Sequence, residues 1–345
     1  MDDQAVNSVG YRVTDLLVKP KFWFLIALAT VTASVPVTAG AFQALVFFTF
    51  LYIGLSSAWN IIGGYAGQIS FGHAAFYGLG AYTTAILTIG NVSAWPKIPA
   101  LATIPLAGIV AALYALLIGY ATLRLRGPYF SIATIGVGEA TRLLMLNAAD
   151  LTGGASGLIF PPPPDYRRYA LTYFYIGFGW MVVVLLVSWW IRNSRFGLGL
   201  FAVNMDTDAA ETLGVNTSGS KIIAFMVSAF LVGVSCSIYA QYIFFIYPNT
   251  VFGFSTSISM ILMATIGGIG TFWGPVLGAI IFYVVDNRLA TTTVHIFNQT
   301  LALGRFNLLL YGLLLVGIIL GEPRGLVGIG ERIRRRAARR AEHTA

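Results

Sequence analysis

The stretch Ile222-Ile-Ala-Phe-Met-Val-Ser-Ala-Phe-Leu-Val-Gly-Val-Ser-Cys-Ser-Ile-Tyr-Ala-Gln-Tyr-Ile-Phe-Phe-Ile246 runs for 25 residues without an acid or a base. A helix needs about 20 apolar residues to cross the roughly 30 Å hydrocarbon core of a bilayer. Working outward, the 100 residues from Ile222 to Gly321 hold only Asp286, Arg288, His295 and Arg305 as acids and bases. The whole chain of 345 residues is 57% hydrophobic and 10% charged, with a mean hydropathy of +0.78. That is too little polar side chain to coat a water-soluble globule of this size. Lipid is the solvent such a chain requires, and the expected fold class is an all-α polytopic transmembrane bundle.

Similar apolar runs lie at 22–40, 41–62, 69–90, 100–123, 129–147 and 171–191, then at 222–246, 256–267, 275–290 and 306–321. Ten spans put both termini on one side, with 256–267 too short to cross alone. On this reading 15 Lys and Arg residues fall on the side of the termini and 5 on the other, Arg142 lying within a span. The side richer in Lys and Arg is cytoplasmic. The domain expectation is a cytoplasmic segment over 1–21, one transmembrane domain over 22–321 and a basic cytoplasmic tail over 322–345. Asp2, Asp3 and Asp15 precede the first run, so it reads as a retained anchor rather than a basic secretory leader. The net charge of +8 and the tail Glu331-Arg-Ile-Arg-Arg-Arg-Ala-Ala-Arg-Arg340 suit anionic lipid headgroups beside a membrane helix; nucleic acid is not an expected partner. A single cysteine, Cys236, excludes an internal disulfide and a thiolate metal cluster.

The longest internal cytoplasmic connection, 192–221, invites a docking role. Within it Asp208 is placed as an N-cap with Glu211 three residues on, as in a capping box, and Gly214 as a left-handed stop, giving a short helix Ala209–Leu213. Asp206, Asp208 and Glu211 also suit the positive end of the helix dipole, which is the bland account of them. Two glycine-rich clusters interrupt apolar runs: Gly63-Gly-Tyr-Ala-Gly67-Gln68-Ile-Ser70-Phe-Gly72-His73 and Gly267-Gly268-Ile-Gly270-Thr-Phe-Trp-Gly-Pro275. Nonhelical backbone at membrane depth occurs where protein buries it or a cavity receives it. Gly64, Gly67, Gln68, Ser70, Gly72, Gly267, Gly268 and Gly270 are therefore candidates for the translocation path, against the plainer reading of glycine turns that let helices pack closely. Glu139, three residues before Arg142 on one predicted span, joins them as an intramembrane acid. Asp286 lies at a helix end. His73 reads as a hydrogen-bonded packing element, and the outer loop 147–170 as ordered, nonhelical surface.

There is no Walker A sequence, zinc-type spacing or hydrolase triad, so no catalytic or metal residue is nominated and no cofactor is expected on this chain. Several segments together resemble the permeases of branched-chain amino acid ABC importers, and specifically the larger of the two partner permeases. They are Trp59-Asn60, the stretch Gly64 to Tyr82, Arg126-Gly-Pro-Tyr-Phe-Ser-Ile-Ala-Thr134, Leu151-Thr-Gly-Gly-Ala-Ser-Gly-Leu158, Ala209-Ala-Glu-Thr-Leu-Gly-Val215, Gly267 to Gly278 and Glu322-Pro-Arg-Gly-Leu326. The resemblance implies an inner-membrane importer with a second permease chain, two ATP-binding subunits that use the ATP, and an external solute-binding protein. It implies that Ala209, Ala210, Glu211 and Gly214 belong to the coupling loop for the ATPase, and Asp206, Asp208 and Leu213 beside them on the predicted capped helix complete the set of coupling candidates. Val203-Asn-Met-Asp206 departs from relatives that carry an Arg before this motif. Relatives of the family that move urea, amides or other amino acids leave the solute open. An ion-coupled transporter and a passive channel are the competing classes, the first resting on Glu139 alone.

Overall fold

In the computed structural model, residues 40–90, 97–125, 127–291, 293–296, 299–302, 309, 311–313, 316–317 and 325–328 are described. The expected span at 22–40, the N-terminal segment and the basic run at 331–340 lie outside them. The chain divides into Met1–Val46 and a compact unit Phe47–Ala345; only the opening residues of the first helix are described in the former.

The chain is a succession of helices. α1 is Gly40–Asn60, continued by a π-helical turn Ile61–Tyr65; α2 is His73–Ile89, α3 Ala100–Thr122 and α4 Pro128–Asn147. A short helix α5, Ala149–Thr152, a 3-10 turn Gly154–Ser156 and a strand β1, Leu158–Ile159, make up much of the loop expected to be nonhelical. α6 is Tyr166–Asn193, α7 Arg195–Met205, α8 Thr207–Thr212 and α9 Thr217–Ile243. β2 is Phe245–Ile246, α10 Pro248–Val251, α11 Phe254–Gly267 and α12 Trp273–Thr291, with a hairpin of β3, Thr293–Ile296, and β4, Gln299–Ala302, after it. Among the described residues, five stretches are long and apolar enough to cross a membrane alone: Phe42–Tyr65, Ala100–Thr122, Tyr166–Asn193, Thr217–Ile243 and Pro248–Gly267. The last corrects the expected short span 256–267, which α10 lengthens across a break at Phe252 and Gly253. Helices α2, α4 and α12 occupy three more expected spans; of 306–321, the described residues 309, 311–313 and 316–317 are helical.

The distribution of side-chain size on these helices is inverted relative to a water-soluble protein. α3 buries Thr103, Ala107, Ala111, Ala115 and Gly119 at four-residue spacing and turns Leu113, Leu116 and Leu117 outward, Leu117 being 71% exposed. Lipid tails solvate leucine as well as a protein core does, so helix association in a bilayer relies on close backbone approach at small residues. A Cβ built on Gly80 of α2 would lie 2.2 Å from the Gly233 carbonyl oxygen of α9, and one on Gly233 would lie 2.6 Å from the Ala111 Cβ of α3. Interhelical hydroxyl bonds reinforce this core, as between Thr84 and Ser237 at 2.6 Å.

α9 spans about 40 Å at 1.5 Å per residue, which separates two ends of the bundle. At one lie α7, α8 and the start of α9. At the other, β1 and β2 pair antiparallel, Leu158 opposite Ile246 and Ile159 opposite Phe245, and tie the α4–α6 loop to the α9–α10 connection.

Candidate functional site: a coupling helix, a glycine junction and a cavity

Ser194 caps α7, its Oγ accepting from Gly197 N at 3.1 Å. The cap of α8 differs from expectation. Asp206, with extended backbone at φ −156° and ψ 116°, is the N-cap, and its Oδ1 accepts from Asp208 N at 2.9 Å and Ala209 N at 3.0 Å. Asp208 lies inside the first turn, so the helix starts two residues earlier than Ala209. Glu211 does not reach back to close a capping box; its Oε1 accepts from the Thr217 hydroxyl and ties α8 to the start of α9. Gly214, at φ +83°, ends the helix in the expected left-handed conformation. Gly214 N donates to Glu211 O at 2.9 Å and Val215 N to Ala210 O at 3.0 Å, the paired bonds of a Schellman stop. Ala210 is the residue α8 buries; Leu213 is 81% exposed and Met205, just before the cap, 90% exposed. A rigid six-residue helix thus presents apolar side chains at both of its ends.

The two glycine clusters pack against each other. A Cβ on Gly64 would lie 2.6 Å from Gly270 N, so only glycine lets the two backbones meet there. Asn60, fully buried at the end of α1, clamps the pair: Oδ1 accepts from Gly270 N at 2.9 Å and Nδ2 donates to Thr271 O at 3.0 Å. From the other side Asn204 of α7 donates from Nδ2 to Gly64 O at 3.1 Å. Its Oδ1 occupies the space a Cβ on Gly67 would need, and Gly67 has φ +69°. Asn204, Gly64, Asn60 and Gly270 therefore form a continuous chain of contacts from the helix preceding α8 to the turn that begins α12. Gly267 abuts the Gly274 carbonyl and Gly268 accepts at its carbonyl from Thr271 N and Oγ1, which closes the α11–α12 turn.

The remaining nominated residues of the first cluster are tied down locally. Gln68 N donates to Ile62 O at 3.0 Å, Trp59 Nε1 to Ser70 O at 2.9 Å, and a Cβ on Gly72 would lie 2.8 Å from Thr134 O of α4. His73 is buried between Ser70 and Ser228, with Nδ1 3.0 Å from Ser70 Oγ and Nε2 2.9 Å from Ser228 Oγ. Ser228 Oγ donates to Ala58 O at 2.7 Å, so it accepts from a protonated Nε2 and leaves Nδ1 to accept from Ser70. A neutral imidazole satisfies every partner, which agrees with a packing role. Glu139 stands apart from the junction: it is 48% exposed and ion-paired with Arg142, whose Nη1 donates to Asn249 Oδ1 of α10 at 2.6 Å.

A cavity of about 470 Å³ lies toward the β1–β2 end, and none of the nominated path residues lines it. Four tyrosines face it, Tyr52, Tyr77, Tyr239 and Tyr311, with Leu55, Met260 and Met263 as its apolar wall. The broken helix α10–α11 contributes Asn249, Thr250, Ser255, Thr256 and Ser259, and α12 contributes Asp286. Asp286 is thus an inward-facing group rather than a mere helix end, and its Oδ1 accepts from the Tyr311 hydroxyl. Neutral residues scattered from position 52 to 311 leave no spacing signature; the one signal available was that Asp286 is the sole acid in 100 residues.

The family described as "Branched-chain amino acid transport system / permease component" matches residues 40–319. The chain is 30% identical to the high-affinity branched-chain amino acid transport system permease protein LivM of Escherichia coli (strain K12), over 88% of this chain and 74% of that protein. LivM of Salmonella typhimurium matches to the same extent. Similarity extends to the autoinducer 2 import system permease protein LsrC of Yersinia pseudotuberculosis, 25% identical over 66% of each chain. No solved structure matches.

Proposed function

The chain belongs to the permease components of branched-chain amino acid transport systems, a transport subunit of the cell's inner membrane, and we propose that it moves branched-chain amino acids inward as part of an ATP-driven importer. Its partners in this reading are a second permease chain, two ATP-binding subunits and an external solute-binding protein. ATP acts on the ATP-binding subunits, and this chain carries no cofactor. The similarity to LivM over 88% of the chain supports the solute. Autoinducer 2 is the second reading, supported by LsrC at lower identity over a shorter stretch.

The capped helix α8 supports the mechanism. A helix fixed at its start by Asp206, at its end by Gly214 and to α9 by Glu211 moves as a rigid body. A floppy loop would absorb the ATPase's motion. Met205 and Leu213 are the apolar anchors offered to the ATPase surface, with Asp208 and Glu211 beside them. Asn204 passes displacement of this end to Gly64, and Asn60 passes it to Gly270 and α12, a wall of the cavity. The glycine clusters act here as the hinge at the cytoplasmic end of the path. Alternating access follows if the junction has two packings that ATP binding favours differently.

The test is uptake of radiolabelled leucine by proteoliposomes holding this chain with its partner permease, ATPases and binding protein. ATP-dependent uptake of leucine, not driven by an ion gradient, is expected. Uptake driven by a sodium or proton gradient without ATP overturns the ATPase coupling, and ATP-dependent uptake of autoinducer 2 alone replaces the solute.

A further inference from the structure

We infer that the cavity is a solute-binding site in the permease itself, and that Asp286 with its ring of tyrosines holds the ammonium group of an amino acid. The inference rests on the transport reading above and adds a recognition site to it.

A carboxylate within a membrane helix is costly unless it faces a cavity or a partner. Asp286 faces the cavity, and among the described residues no Lys or Arg lines it. Its Oδ1 accepts from the hydroxyl of Tyr311, a neutral donor that orients the carboxylate. Tyr52, another lining residue, stacks on Tyr283 at 5.0 Å with an interplanar angle of 26°, and Tyr311 lies 5.0 Å from Phe282. The aromatic faces beside Asp286 are thus fixed by packing before any solute arrives. A carboxylate within an aromatic enclosure is the chemistry that selects a positive nitrogen: the charge pairs with the acid and the ring quadrupoles add cation–π attraction. An isolated anion would meet the Asp286 carboxylate with no Lys or Arg among the described lining residues to pair with.

The rest of the cavity suits an apolar side chain. Met260 and Met263 are unbranched and polarizable, so one wall accommodates several branched shapes. The volume falls within the range of small-molecule sites. Asp286 lies 13 residues along α12 from Trp273, about 20 Å from the glycine junction. Movement of that turn therefore shifts the carboxylate through a continuous helix, so solute release can be linked to the ATPase stroke.

The experiment uses the assembled transporter in nanodiscs without binding protein and measures equilibrium binding of labelled leucine and labelled isoamylamine, with 4-methylpentanoate as competitor. Isoamylamine keeps the ammonium and the branched chain; 4-methylpentanoate keeps the carboxylate and the branched chain. Isoamylamine should displace leucine about ten-fold better than 4-methylpentanoate, and Asp286→Asn should weaken leucine and isoamylamine about ten-fold or more. Displacement by 4-methylpentanoate as good as by isoamylamine, or unchanged leucine affinity in Asp286→Asn, overturns the site. Should Asp286→Asn fail to assemble, Asp286→Glu keeps the charge and moves it by one methylene, and unchanged affinity in that variant overturns the site equally. An assembly that transports leucine with ATP but binds neither ligand in the wild type sinks the site and leaves the transport reading standing. One that binds isoamylamine through Asp286 yet transports no leucine keeps the site and sinks that reading.

Discussion

The glycine junction and the tyrosine cavity share helices and differ in almost every other respect. At the junction, Gly64 meets Gly270 backbone to backbone, Asn60 and Asn204 bond to peptide groups, and a Cβ on Gly64 has nowhere to go. In the cavity, eight residues back along α1 from Asn60 and so about 12 Å away, side chains leave space and present hydroxyls, thioethers and one carboxylate. Close-packed backbone transmits displacement because it has no slack. An open site lined by side chains binds because it has room. Among the residues of one permease, transmission and recognition are thus assigned to opposite chemistries at different depths of the same helices.

Enlarging Gly64 gives the strongest way to break this contrast. Gly64→Leu should separate the two clusters and lower ATP-dependent leucine uptake by about a hundred-fold, with the chain still inserted in the membrane. Uptake near wild type would mean that the clusters need not touch. Next in size is Asn60→Ala, which leaves Gly270 N and Thr271 O without their buried partner at a cost of about 1–3 kcal/mol for each orphaned group. It should lower uptake about ten-fold and the assembly's Tm by several degrees; a change confined to Tm would make Asn60 purely structural. Glu211→Arg reverses a charge on the coupling helix and removes its tie to Thr217, so an effect of about three- to ten-fold is expected on uptake and on ATPase association. Thr217→Val, which removes only the tie, separates the two contributions. Glu139→Gln should change uptake by less than about two-fold, because Glu139 lines neither the glycine junction nor the cavity. A ten-fold loss there would return Glu139 to the path.

These expectations differ from the ones sequence alone supports, and the reasons are local. Composition and period were enough for an all-α membrane bundle, since burying or exposing whole apolar helices needs no knowledge of their neighbours. Gly214 was legible because a left-handed stop is a property of one residue. The cap was not, because Asp206 and Asp208 are equally competent chemically. The choice falls to whichever residue the end of α7 leaves extended, and that is Asp206. The clamping roles of Asn60 and Asn204 are not legible in the sequence for a related reason: their partners lie 210 and 140 residues away, beyond any periodicity. Met205 stands in the sequence only within the stretch Val203–Asp206 that lacks the relatives' Arg, whereas the fold leaves it 90% exposed beside the coupling helix.

The most direct test of the relay from α8 to α12 is a double-mutant cycle on ATP-dependent leucine uptake with Asn60→Ala, Asn204→Ala and the pair together. Either substitution alone interrupts the one chain of contacts, so the double variant should transport no worse than the weaker single one. Losses that multiply, each residue contributing independently of the other, would contradict a single path of transmission through the glycine junction.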